Sequence, residues 1–251
     1  MTLSRRAKVA IAVPLALVAL AGGAALVLPR LLWGDGVDYS HVASIEATPE
    51  YKDVALLAKA WALPVAARYR AAGLVFQPNG SLCGPTSAAD VLGSVGAHAD
   101  PASLLEGSGR RTYFGLLPGG ITLDDLGALL HARGGGDVTV LRDLDLAAFR
   151  AHVAAANDPA RRYIVNFHRG PLFGRGGGHH SPIAGWLAAE DLVFVLDVNA
   201  DYQPWLVKTE RLFAAVDTVD RATGRKRGLL MMQWTPPTAP PVAPPLDGAA
   251  H

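Results

Sequence analysis

The 251-residue chain holds a single cysteine, Cys83, placed directly after a turn-rich run, Gln77-Pro78-Asn79-Gly80-Ser81-Leu82. The residues that follow, Gly84-Pro85-Thr86-Ser87-Ala88-Ala89-Asp90-Val91-Leu92, read as a helix. The thiol therefore sits at, or one residue before, a helix N-terminus. There the first backbone N–H groups lack intrahelical partners and the local potential is positive. A thiol so placed loses its proton more readily, and the thiolate is the nucleophile. The same position also suits a small buried core residue, and on position alone the two readings stand level. Gln77, six residues upstream, becomes a candidate for holding an oxyanion, since its side-chain amide N–H₂ can act beside the Cys83 backbone N–H.

A cysteine nucleophile needs a base, and the base needs an orienting group. His179 stands at the end of a glycine-rich loop, Gly170 to Gly178, just before a run that reads as a strand. Asp197 ends the next apolar run, Leu192-Val193-Phe194-Val195-Leu196. A hairpin of these two strands brings the start of one beside the end of the other, and His179 and Asp197 within hydrogen-bond reach. The glycines 174 and 176–178 permit close backbone approach but are no phosphate loop, because no Gly-Lys-Ser/Thr follows. His168, His179 and His180 form a rival metal-ligating set. Neighbouring strand residues point to opposite faces, which keeps His179 and His180 from sharing one ion easily. Asp197 could instead cap a turn. Asp124-Asp125 reads as helix capping, and Arg221…Arg225-Lys226-Arg227 as a solvated hairpin tip with one member able to grip a carboxylate.

The elements that must position these groups change character along the chain. Val54, Leu56-Leu57, Ala60-Trp61 and Val65 recur at helical spacing, with Pro64 breaking the segment. Thr122 with Asp125 resembles a capping box opening a helix to about Ala132, closed by Gly134-Gly135-Gly136. Asp145 to Ala156 and Lys208 to Val216 read as further helices. Strands are predicted over Tyr163 to Phe167, Ser181 to Leu187, Leu192 to Asp197 and Gly228 to Trp234. Helices first and a mostly antiparallel sheet second is an α+β arrangement.

Composition bounds the rest. Half the residues are hydrophobic, 18% are charged and the net charge is +1, which excludes a disordered chain and a nucleic-acid binder held by phosphate contacts. One cysteine excludes an intramolecular disulfide and any multi-thiolate zinc site. Val9 to Leu28 is an uncharged run of 20 residues, long enough to span a bilayer, preceded by Arg5, Arg6 and Lys8. Residues 1–33 therefore read as an inner-membrane anchor or signal segment with the remainder in the periplasm or exterior, either tethered or released by signal cleavage. Residues 34–50 read as a tether, 51–235 as the catalytic domain, and 236–251, with six of the 18 prolines, as a disordered tail.

The nucleophile segment, Phe76-Gln77-Pro78-Asn79-Gly80-Ser81-Leu82-Cys83-Gly84-Pro85-Thr86-Ser87, resembles that of phytochelatin synthases, members of the papain-like cysteine peptidase superfamily. Asn166-Phe167-His168-Arg169-Gly170, Gly178-His179-His180-Ser181-Pro182-Ile183-Ala184-Gly185 and Leu196-Asp197-Val198 resemble the family's histidine and aspartate segments, and the Asp217 to Gly228 stretch its closing segment. The likeness covers roughly Tyr51 to Trp234. It implies a papain-like fold, with an N-terminal helical part carrying the nucleophile helix against a mostly antiparallel sheet. It also implies cleavage of the Cys–Gly bond of glutathione by Cys83, with His179 as proton carrier, Asp197 as its orienter and Gln77 at the oxyanion. The γ-glutamylcysteinyl group then passes to water or to a second glutathione. Asn166 and Arg227 align with positions that contact the acyl group. No cofactor is built in, and cadmium or zinc enters as the metal–glutathione thiolate substrate. His180 departs from the family, which usually has an aromatic residue there. The competing expectations are a cysteine peptidase on other short or γ-linked peptides, and a non-enzymatic exported module that binds thiol peptides or metal.

Overall fold

A computed structural model describes residues 37–134 and 136–235. The expected membrane segment and the proline-rich tail both lie outside the described residues. Among the described residues no helix is long and apolar enough to cross a membrane.

The helical half begins with α1 (Val54–Trp61), where Asp53 Oδ1 accepts from the Leu56 N–H at 2.8 Å. Pro64 does end that helix. It becomes the first residue of α2 (Pro64–Ala72), where its missing N–H costs nothing. α3 (Cys83–Ser94) is buried along nearly its whole circumference, built from Gly, Ala, Ser and Thr that let neighbours approach closely. A Cβ on Gly84 would lie 2.2 Å from Ile121 Cγ2, so only glycine fits beside the cysteine. α4 (Leu123–Gly134) opens as its sequence predicts, with Thr122 Oγ1 accepting from the Asp125 N–H at 3.2 Å. α5 (Leu146–Ala155) is capped by Asp145, whose Oδ1 accepts from the Ala148 N–H at 2.7 Å.

The sheet is antiparallel throughout. β1 (Asp137–Leu141) pairs with β8 (Leu229–Gln233), which pairs with β2 (Arg161–His168). The order continues through β3 (Gly178–Leu187) and β4 (Leu192–Val195) to β5 (Trp205–Lys208). The short β6 (Val219–Asp220) and β7 (Arg225–Lys226) form a separate hairpin. Alternation along the strands divides the core in two. Ile164, Ala184, Phe194 and Leu206 face the helical half. Tyr163, Val165, Phe167, Val193 and Val195 face α5, α6 (Gly170–Phe173) and α7 (Thr209–Val216).

Several features depart from the sequence expectation. β1 is a half-exposed edge strand inserted between helices, so helices and strands are not cleanly segregated along the chain. β5 holds three apolar residues and then Lys208, too short a run for its period to distinguish strand from helix. Part of the glycine-rich stretch is helical, and α6 ends on Gly174 in the left-handed region. The segment read as a tether is folded against the domain from Val37 onward. Ile45 is buried, Arg211 Nη2 donates to the Ala43 carbonyl, and the Tyr39 ring occupies the place a side chain on Gly170 would take. Its polar composition hid two apolar anchors, Tyr39 and Ile45.

Candidate active site

Cys83 is the first residue of α3, and among the described residues no side chain caps that end. The unpartnered N–H groups of the first turn surround the sulfur with positive potential. Behind it, Ser87 Oγ donates to the Cys83 carbonyl at 2.8 Å, closing the first turn. The residue is only 8% exposed. Burial pushes the thiol up, but the imidazoles of His179 and His180 more than reverse this, and the thiol lies well below its ordinary range. The thiol is thus buried but flanked by imidazoles, whereas the core-cysteine alternative required burial without them.

The β2–β3 pairing sets the two histidines. Phe167 lies opposite His179, and Asn166 opposite His180. His180 and Asn166 share the face toward α3, so His180 Nδ1 comes 3.8 Å from Cys83 Sγ. His179, at the start of the strand, packs its ring edge-on to Phe167 with centroids 5.4 Å apart. Its Nε2 meets Asp197 Oδ1 at 3.0 Å. The β3–β4 hairpin makes this contact: the Leu196 N–H donates to the Pro182 carbonyl, which carries Asp197, two residues past β4, back along the start of β3. Burial and the nearby Arg169 guanidinium push the His179 imidazole down, yet Asp197 and the thiolate raise it above its usual value.

Asp197 is 1% exposed and fully engaged. Besides His179, it accepts from Arg169 Nη2 at 2.8 Å on each oxygen, from Trp205 Nε1 at 3.0 Å and from the Asn199 N–H at 3.0 Å. Burial alone would raise the carboxyl, but the His179 and Arg169 contacts hold it far below the usual carboxylate range. It is therefore a fixed anion. Arg169 is clamped over the Tyr202 ring at 3.9 Å, and glycine at 176 makes room for it, since a Cβ there would lie 2.9 Å from Arg169 Cβ. Sequence reasoning assigned no role to Arg169 or Trp205. A buried carboxylate requires a counter-charge, which was the available signal for an arginine; nothing local pointed to Trp205.

The Gln77 backbone N–H donates to the Val198 carbonyl at 2.8 Å, which ties this segment to the residue after Asp197. Its Oε1 is buried with no hydrogen-bond partner among the described residues. An open groove of about 480 Å³ lies alongside, lined by Leu57, Trp61, Leu74, Phe76, Gln203 and Pro204; Cys83 is not among its walls. Asn166 and Arg227 are brought together, but behind His180. Asn166 Nδ2 lies 2.9 Å from His180 Nε2 and donates to the His179 carbonyl at 3.4 Å, while Arg227 Nη1 donates to Asn166 Oδ1 at 3.3 Å. Asn166 is thus occupied by protein groups. His168 turns elsewhere: its Nδ1 accepts from the Gly170 N–H at 3.1 Å and its ring packs on Tyr39. Among the described residues no group of three or more His, Cys, Asp or Glu side chains is placed to hold a metal ion.

A thiol held below its ordinary range, an imidazole beside it and a buried carboxylate behind the imidazole are the groups a nucleophile, a proton carrier and its orienter require. That combination performs acyl transfer. Residues 52–229 match a family model described as phytochelatin synthase. Glutathione gamma-glutamylcysteinyltransferase 3 of Lotus japonicus is 36% identical over 117 residues, 45% of this chain and 24% of that protein. The fission yeast Schizosaccharomyces pombe enzyme named glutathione gamma-glutamylcysteinyltransferase is 24% identical over 173 residues, 64% of this chain and 41% of that protein. The matches therefore span less than half the length of these curated relatives. Among solved structures, the peptidase domain of Streptococcus ComA aligns with a TM-score of 0.45 at 18% identity, covering 64% of this chain and 98% of that one. That likeness is too distant to bear on activity.

Proposed function

The chain belongs to the phytochelatin synthase family, and from that premise we propose that it is a glutathione γ-glutamylcysteinyltransferase working through a Cys83 acyl-enzyme. The observation that carries the reading is the line from a depressed Cys83 thiol through His179 to Asp197. Cys83 Sγ attacks the carbonyl carbon of the Cys–Gly bond, and the carbonyl electron pair moves onto oxygen. The Cys83 N–H and the Gln77 side-chain amide take up that oxyanion; the tie of Gln77 to Val198 supports the placement. Collapse expels the glycine nitrogen, which receives its proton from His179. Neutral His179 then removes a proton from the acceptor, water or a second glutathione, and the γ-glutamylcysteinyl group leaves the sulfur. Asp197, already engaged by Arg169 and Trp205, remains ionised and holds the imidazole in one orientation throughout.

Cadmium or zinc enters this scheme as part of the substrate, bound to glutathione sulfur. The apolar run Val9 to Leu28 supports an anchored enzyme facing the periplasm or exterior, where it would meet exported glutathione. The decisive experiment incubates the full chain with glutathione, with and without cadmium, followed by mass analysis. Glycine release with a γ-glutamylcysteinyl adduct on Cys83, lost in Cys83→Ala, supports the reading, and oligomers identify the second glutathione as acceptor. Absence of both glycine and adduct refutes it.

A further inference from the structure

We propose that His180 is a second imidazole acting on the nucleophile, donating its Nδ1–H to the Cys83 sulfur as a proton-fixed partner distinct from the proton-carrying His179. The inference rests on the reading of Cys83 as a thiolate nucleophile and deepens it.

Donors and acceptors around Asn166 fix the His180 tautomer. An arginine side chain only donates, so the Asn166 atom facing Arg227 Nη1 at 3.3 Å must be the amide oxygen. A backbone carbonyl only accepts, so the Asn166 atom 3.4 Å from the His179 carbonyl must be the amide nitrogen. Both contacts demand the same orientation of the amide. The group 2.9 Å from His180 Nε2 is therefore an N–H₂, and Nε2 must accept. A neutral imidazole that accepts at Nε2 carries its proton at Nδ1. That nitrogen lies 3.8 Å from Cys83 Sγ. Protonation of Nε2 would set two donors against each other inside a pocket that leaves His180 only 4% exposed.

The groups facing the sulfur thus divide the work. His179, backed by Asp197 and through it by Arg169, gains and loses a proton. His180, backed by Asn166 and through it by Arg227, donates without exchanging one. When the thiolate attacks, its charge leaves the sulfur and the His180 contact weakens. When the second tetrahedral intermediate collapses, the carbon–sulfur bond breaks, its electron pair returns to sulfur, and the Nδ1–H is in place to receive it. A phenyl ring at this position fills the same space and donates nothing. On this account Asn166 and Arg227 are positioning residues for the nucleophile.

The test is the pH dependence of iodoacetamide alkylation of the full-length protein, which reports Cys83 alone because no other cysteine exists. His180→Phe is expected to move the midpoint upward by about one pH unit, so that alkylation below the midpoint slows about tenfold. His180→Asn, whose amide nitrogen falls near the Nδ1 position, should recover most of that loss. An unchanged midpoint in His180→Phe overturns the proposal. Independently of any variant's folding, ¹⁵N shifts of the wild-type imidazoles should show His180 protonated at Nδ1; an Nε2–H tautomer overturns it equally. Neither readout uses glutathione. A protein that fails to turn over glutathione yet shifts its alkylation midpoint would refute the enzymatic reading and leave the role of His180 standing.

Discussion

Asp197→Asn probes the charge arrangement behind His179, and its cost follows from what the carboxylate holds. In the folded protein Asp197 is buried and compensates the Arg169 guanidinium, which is itself buried and otherwise contacts the faces of Tyr202, Phe167 and Phe173. Asparagine keeps the shape but removes the charge, and turns an N–H₂ toward donors from Arg169, Trp205 or His179. Removing one partner of a buried ion pair typically costs about 3–5 kcal/mol, mostly because the other charge is left uncompensated. For a domain of this size that corresponds to a fall in Tm of roughly 6–20 °C. Urea denaturation followed by tryptophan fluorescence measures the loss directly, since Trp205 touches the altered group. If the uncompensated guanidinium is the cause, Arg169→Met in the Asp197→Asn background should restore stability, with a coupling energy of about 2 kcal/mol or more in the double-mutant cycle. Additive effects of the two substitutions, or an Asn variant within about 1 kcal/mol of the parent, would refute the assignment of Arg169 as the counter-charge.

Further expectations concern catalysis and pH. His179→Ala should abolish glutathione turnover whereas His180→Ala should not, as measured by glycine release; the reverse outcome would mean the wrong imidazole carries the proton. Gln77→Ala should lower acyl-enzyme formation by about 10²–10³-fold with little change in the melting curve, as for loss of one oxyanion donor. Because Asp197 is depressed below its unfolded value, its stabilisation is present above about pH 4 and is lost as pH falls through the folded value; Asp197→Asn should flatten the acid limb of the stability curve. Asp90 behaves oppositely. Burial, opposed by the Val75 N–H it accepts from, raises it to about 7, so its protonated form stabilises the fold at low pH and that contribution disappears between about pH 4 and pH 7. Asp90→Asn, which keeps the acceptor for Val75, should therefore stabilise the protein by roughly 2–4 kcal/mol at pH 8 and be nearly neutral at pH 4, in paired urea titrations.

What could be read directly from the amino acids is what local chemistry controls. Turn residues followed by Cys83 and a run of small helix formers place a thiol at a helix N-terminus, and the capping signals at Asp53, Thr122 and Asp145 operate within four residues of themselves. The 18-residue offset between His179 and Asp197 belongs to a single hairpin, so their meeting also follows from short-range pairing. Other features depended on contacts between distant parts of the chain. β1 hydrogen-bonds edge to edge with the last strand of the chain, a pairing no local spacing names, while its Val138 and Val140 pack toward α4 at Gly127. Arg169 and Trp205 converge on Asp197 from opposite sides of it in sequence, and no spacing rule links an arginine after β2 to a tryptophan on β5. The orientation of Asn166, and with it the proton on His180, was decided by an arginine 61 residues away. Local sequence determined which groups were available for chemistry; burial, which makes every polar atom find a partner, determined which of them act together.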